Sequence, residues 1–158
     1  MSEAITTRTI QSYSIENGFW NHEDYLVVEE AYKLSVEGRY IHSLYCCPTD
    51  MEELVVGNLA AQGVIQNASQ VGSIDIRGHE IEVRLRDVNQ DISGSADSND
   101  SVFCYARDVL ELMKQHLAAS ELHKMTGGVH LMGLARGNQI IAARQDVGRH
   151  NALDKLFG

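Results

Sequence analysis

Three stretches decide the fold class: Thr126-Gly127-Gly128-Val129-His130, the Arg136-Gly137-Asn138 turn, and Asp146-Val147-Gly148-Arg149-His150-Asn151-Ala152-Leu153-Asp154-Lys155-Leu156-Phe157-Gly158. The first leads into an apolar run through Ala135, and the turn returns the chain as a second run from Gln139 to Arg144. Two β-rich runs joined by a Gly-Asn turn read as a hairpin, and the last stretch reads as a helix with Asp146 as its N-cap. Upstream, Val102, Tyr105, Val109, Leu112, Met113, His116 and Leu117 recur at spacings of three and four, the stripe of a helix with a core-facing side.

Earlier still, the period changes to two. Leu26, Val28, Tyr32, Leu34 and Val36 alternate up to Glu37-Gly38, and a β-rich run resumes from Tyr40 to Tyr45, so a hairpin is expected between Tyr25 and Cys47. Cys47-Pro48-Thr49-Asp50 breaks it, and Thr49 or Asp50 can cap a helix running to about Gln62 and stopping at Gly63. Leu54, Val55 and Leu59 would form its buried face, with Gly57 allowing close packing. A second hairpin is read over 71–88, turning at Arg77-Gly78, with Arg84 and Arg86 on a solvated face. The small, polar, aperiodic stretch 91–101 is the strongest linker signal. The reading is therefore α/β: an N-terminal α+β segment with hairpins (1–90), a linker (91–101) and a C-terminal segment (102–158).

Composition narrows the function classes. The chain has 158 residues, 44% of them hydrophobic and one of them proline, which suits a packed core and not a disordered or collagen-like chain. No apolar run approaches the roughly 18 residues of a membrane span, and the first residues lack the basic and apolar regions of an export signal. Three cysteines, two of them adjacent (Cys46, Cys47), make no disulfide framework, so a reducing cytoplasm is the expected location. A net charge of −9 argues against nonspecific nucleic-acid binding. Residues 1–100 carry 6 Lys/Arg against 17 Asp/Glu, whereas residues 101–158 carry 7 against 5, so an anionic ligand is better hosted by the second segment.

Polar groups concentrate in 126–155. The Gly127-Gly128 pair lets backbone approach a ligand, and the start of the last helix offers free N–H groups at the positive end of its dipole. Arg149 adds a fork of donors suited to phosphate. His130 and His150, if neutral, can hydrogen-bond a base or ribose. Either histidine alone reads more readily as a satisfied core or cap residue, and His150 and Asp154, four apart, can pair locally. The spacing argues against zinc, since adjacent Cys46 and Cys47 point to opposite sides of a strand and no Cys-x-x-Cys occurs. Each of the three cysteines is expected to be a buried, inert thiol, although Cys104 stands near a helix start that can lower a thiol pKa.

The block 146–155, preceded by 126–130, resembles the signature of the FdhD/NarQ family of formate dehydrogenase accessory sulfurtransferases. Cys47-Pro48-Thr49-Asp50-Met51-Glu52-Glu53-Leu54-Val55-Val56-Gly57 and Gln62-Gly63-Val64-Ile65 are similar to two further stretches of that family in the same order. The resemblance runs from about Val27 to Gly158. It implies a cytidine deaminase-like fold for the second segment and transfer of sulfur from a cysteine desulfurase to the molybdenum or tungsten bis(guanine dinucleotide) cofactor of formate dehydrogenase. On that basis Gly127, Gly128, His130, Asp146, Arg149, His150 and Asn151 would bind the guanine nucleotide portion of the cofactor.

Two departures stand beside it. The family's Cys-x-x-Cys loop, its persulfide carrier, falls where this chain has the cysteine-free stretch 91–101, which leaves Cys104, or Cys46 and Cys47, as substitute carriers and a non-catalytic interaction protein as the alternative class. The family also continues past the position of Gly158. A deaminase-like sheet cut there is expected to expose a strand edge that another copy covers, making the protein a homo-oligomer.

Overall fold

The computed structural model describes residues 4–86 and 104–158; the 91–101 linker lies outside them. The described residues form a mixed α/β structure whose elements follow the sequence periods closely except at the N-terminus and between the last two strands and the last helix. The N-terminal difference is a long ribbon of β1 (Ile5–Ser14) and β2 (Gly18–Val27), paired antiparallel over their whole length. Its residues are mixed polar and aromatic with little burial on either face, so no two-period apolar pattern announces it. Leu26 belongs to β2 and not to the following hairpin.

That hairpin is β3 (Glu30–Val36) and β4 (Arg39–Cys46), joined at Glu37-Gly38 with φ of 51° and 72°. Two successive positive φ values give the turn a twist that matches paired strands. Helix α1 (Met51–Ala61) follows, then a short 3₁₀ turn, then β5 (Val71–Arg77) and β6 (Glu80–Leu85). The four strands lie in the order β4-β3-β6-β5, antiparallel except for the central parallel pair β3 and β6. Alternation then sorts the side chains. Tyr32, Leu34, Val36, Leu44, Cys46, Ile81 and Val83 pack with Leu54, Val55, Leu59 and Ile65 into the main core, while Lys33 and Arg84 stay exposed on the sheet. Each fully buried aliphatic side chain contributes roughly 1.5–3 kcal/mol.

Asp50 is the residue before α1, but its backbone is left-handed (φ 49°, ψ 44°) and its side chain makes no capping bond. The chain turns too sharply after Cys47 for the extended backbone that a capping Asp or Thr needs.

The C-terminal part comprises α2 (Ala106–Ala119), α3 (Glu121–Thr126), the hairpin β7 (His130–Arg136) and β8 (Gln139–Asp146), and α4 (Arg149–Phe157). Two expectations are corrected here. The N-cap of α4 is Gly148, not Asp146, because β8 continues through Asp146 and its carboxylate is used elsewhere. The α2 stripe is not core: only Leu112 and His116 are partly covered, while Tyr105, Val109, Met113 and Leu117, with Leu110 beside them, lie exposed.

Helix α4 joins the two parts. A Cβ on Gly57 would stand 1.9 Å from the carbonyl oxygen of Asp154, so α1 and α4 cross at backbone contact and only glycine fits there. Across the same seam Asn58 Nδ2 donates to Asp154 Oδ2 at 2.9 Å, and from β8 Arg144 Nη2 lies 3.4 Å from Glu53 Oε1 on α1. The Asp154 carboxylate thus turns to α1.

Candidate functional site

The signature block 146–155 divides into a buried row and an exposed row. Asp146, Asn151 and Lys155 are almost wholly inaccessible. Lys155 Nζ pairs with Asp146 Oδ2 at 2.7 Å and donates to the Cys47 carbonyl at 3.1 Å. The Cys47 N–H donates to the same Asp146 oxygen at 3.0 Å. Asp146 Oδ1 accepts from the Gly148 N–H at 2.9 Å and from Asn151 Nδ2 at 3.2 Å, and Asn151 Nδ2 also reaches the Tyr45 carbonyl at 2.6 Å. A buried ion pair persists only when further hydrogen bonds satisfy its remaining lone pairs and protons, and this network does so. It staples the end of β4 to the start of α4.

Of the seven predicted site residues, Asp146 and Asn151 are therefore committed to the interior. Gly127, Gly128, His130, Arg149 and His150 are exposed. The register pairs His130 with Asp146, so the turn before β7 and the start of α4 lie at the same end of the hairpin. Helix α4 has no side-chain cap on its first turn, and Arg149 and His150 are exposed at that end. An uncapped helix start, one guanidinium and two imidazoles can hold a phosphate and hydrogen-bond a polar ring.

The glycine pair has structural duties as well. Gly127 takes a left-handed conformation to end α3, its N–H donating to the His123 carbonyl, and a Cβ on Gly128 would stand 2.7 Å from Val27 Cγ1.

The adjacent cysteines face opposite sides of the chain, as alternation requires, and enter different clusters: Cys46 the main core, Cys47 a smaller one with Ala4, Leu122 and Val129. Burial, reinforced by the Asp146 carboxylate, pushes the Cys46 thiol up to about 12 and raises that of Cys47 as well. Both remain neutral thiols at physiological pH. Cys104 corrects the expectation of three buried thiols, because it is exposed just before α2. No cluster of three or more His, Cys, Asp or Glu suited to a metal occurs among the described residues.

Sequence reasoning missed a cleft of about 400 Å³ between α2, α3 and the hairpin, lined by Asp50, His116, Ser120, Glu121, Leu131 and Gln145 among others. Both ring nitrogens of His116 are buried there without a hydrogen-bond partner among the described residues. A polar residue at an apolar-stripe position was the only signal, and it reads first as packing.

The described residues thus form a mixed α/β fold in which Asp146, Asn151 and Lys155 are buried and Arg149 and His150 are exposed. The FdhD/NarQ family model matches in two pieces, residues 27–104 and 86–158, and the chain belongs to that family. A relative from Bacillus licheniformis, named sulfur carrier protein FdhD, is 32% identical over an aligned length of 188 residues that covers all of this chain and 70% of the relative. One from Staphylococcus haemolyticus with the same name is 31% identical, covering 85% of this chain and 61% of its own. A crystal structure of a proposed formate dehydrogenase accessory protein from Desulfotalea psychrophila superposes with a TM-score of 0.76 at 24% identity, over 96% of this chain and 64% of that one. The likeness confirms the fold. The first alignment exceeds the 158 residues of this chain by 30, so that relative carries internal residues this chain lacks. The two pieces of the family match overlap over 86–104, a range that contains the cysteine-free stretch 91–101.

Described residues include no helix long and apolar enough to cross a membrane.

Proposed function

We propose that this chain is an accessory protein of formate dehydrogenase maturation that holds the guanine nucleotide portion of the molybdenum or tungsten cofactor as cargo. The observation that carries this reading is the exposed, uncapped start of α4 with Arg149 and His150, set beside His130 and the Gly127-Gly128 turn, in a chain of the FdhD/NarQ family. Arg149 and the first-turn N–H groups hold phosphate, and the histidines orient the ring. Asp146 and Asn151 act from the interior by fixing where the helix begins.

Calorimetric titration with GDP tests it. Wild-type binding that weakens at least about tenfold in Arg149→Ala is expected, the loss of one charge-assisted contact of roughly 1.5–3 kcal/mol. Equal affinity in the variant, or no binding by the wild type, overturns the site.

A specific observation favours a sulfur-carrying role through Cys104. Only an accessible thiolate can accept sulfur from a desulfurase persulfide, and among the three cysteines Cys104 alone is exposed. In that step the outer sulfur moves to the Cys104 thiolate and the desulfurase leaves as its own thiolate, with no net oxidation. Mass spectrometry after incubation with a cysteine desulfurase and cysteine should show one added sulfur that Cys104→Ser abolishes. An unmodified wild-type chain leaves the non-catalytic cofactor-binding role standing without sulfur transfer.

A further inference from the structure

The cleft between α2, α3 and the β7–β8 hairpin includes none of the residues assigned to the nucleotide and none of the cysteines. Its volume of about 400 Å³ lies within the roughly 300–1,000 Å³ of small-molecule sites. One wall is apolar, formed by Leu122 and Leu131 of the smaller core with Ala143 beside them. Some of the polar groups around it are already in use: Ser120 Oγ donates to Gln145 Oε1, and Lys124 Nζ pairs with Glu121 Oε1 at 2.8 Å. Three are left over. His116 packs across Gly133, its Nδ1 3.0 Å from where a Cβ on that glycine would stand, and neither ring nitrogen has a partner among the described residues. Arg144 turns Nη1 to the Ala143 carbonyl at 2.9 Å and Nη2 toward Glu53, but its Nε is buried and unpaired among the described residues. Asp50, on the turn before α1, lines the same cleft with an exposed carboxylate that makes no capping bond to the helix.

Folded proteins satisfy nearly all of their buried donors, so unused donors that converge on a cleft of this size mark where a bound molecule completes them. Charge selects the class of molecule. A simple anion gains Arg144 but meets the carboxylates of Asp50 and Glu121, and a simple cation gains Asp50 but meets the guanidinium. A molecule that carries both charges close together finds a partner for each. The wall of Leu122, Leu131 and Ala143 then suits an uncharged, apolar remainder.

We propose that this cleft binds a small zwitterion, an α-amino acid with an apolar side chain. Arg144 Nε and the His116 imidazole hold its carboxylate, Asp50 holds its ammonium, and its side chain lies against Leu122 and Leu131. A half-turn of the imidazole about Cβ–Cγ carries Nδ1 away from Gly133, so the ring offers a donor to the cleft while α2 stays in place. The inference is independent of nucleotide binding at α4 and of sulfur transfer through Cys104.

Chemical-shift titration of the full chain by NMR tests it, with L-leucine, N-acetyl-L-leucine and L-leucinamide as probes. L-leucine binds with a Kd below about 1 mM and shifts the amides of Ser120, Leu122 and Leu131 rather than those of Arg149 and His150. The two analogues, one without the ammonium and the other without the carboxylate, each bind at least about tenfold more weakly. Asp50→Asn weakens L-leucine at least about tenfold and leaves N-acetyl-L-leucine unchanged, because that analogue has no ammonium to lose. His116→Leu weakens L-leucine and leaves L-leucinamide unchanged for the matching reason. Arg149→Ala alters neither, and excess GDP does not displace L-leucine, so failure of the nucleotide site leaves this result intact. The comparison of the three probes uses the wild type alone and stands even where a variant fails to fold. No binding of L-leucine, either analogue binding as tightly as L-leucine, a folded Asp50→Asn chain with wild-type affinity, or displacement by GDP overturns the proposal.

Discussion

Helices α1 and α2 each lie against a sheet, and their sequences suggest the opposite of what happens to them. The apolar residues of α1 are spread around its circumference, whereas α2 shows a clean stripe. Yet α1 buries Leu54, Val55, Gly57 and Leu59, and α2 buries no residue fully. The reason is the number of covered faces. The sheet takes one side of α1 and α4 takes another at Gly57, so its apolar residues have no single direction to point. On α2 only Leu112 and His116 of the stripe, with Asp108 beside them, are partly covered by the chain itself. A strong stripe reports what a helix can bury, not what this chain supplies to bury it against.

Substitutions around α1 and α4 should cost far more than those along α2. The largest effect is expected from Lys155→Ala, which strands the Asp146 carboxylate in the interior: a loss of about 3–5 kcal/mol in denaturant unfolding. A loss below about 1 kcal/mol would mean that the pair is wetter than its burial indicates. Alkaline titration comes next. The Cys46 thiol is raised from 9.0 in the unfolded chain to about 12 in the fold, so the native state holds its proton longer. Its stabilising contribution is full below pH 9 and is lost as pH rises toward 12. Cys46→Ala should flatten that part of the pH–stability curve. Gly57→Ala follows at roughly 1–3 kcal/mol, since the added methyl forces α1 and α4 apart at backbone contact. Smallest is Leu110→Ser on α2, within about 0.5 kcal/mol for the isolated chain at low concentration. A loss as large as that of Gly57→Ala would show that α2 is covered in the monomer and would erase the contrast between the helices.

Much of the architecture was legible. Alternation locates β3, β5 and β6, β-rich runs flanking turn residues locate β4, β7 and β8, Gly63 marks the end of α1, and Gly57 within an apolar helix points to a close contact. The β1–β2 ribbon was not legible, since a strand pair exposed on both faces leaves no two-period apolar pattern. Asp146 reads as a cap in the sequence because caps and strand-end carboxylates share the same sequence context. What separates them is the partner, and Lys155 and Cys47 reach Asp146 only in three dimensions.

The candidate site divides along the same line. The residue types were given by the chain: a glycine pair, two histidines and an arginine around a helix start, in the order of the FdhD/NarQ signature. Which of them meet solvent was decided by packing. Asp146, Asn151 and Lys155 turn inward because an ion pair can be buried only where the backbone of β4 completes its hydrogen bonds, and Arg149 and His150 turn outward because α4 has one side left after α1 and the hairpin have taken the others. Local sequence fixes periods, turns and chemical groups, since those depend on neighbours along the chain. Burial, the thiol chemistry of Cys46 and Cys47, and the exposed row of α2 depend on residues distant in sequence, and only the tertiary structure decides them.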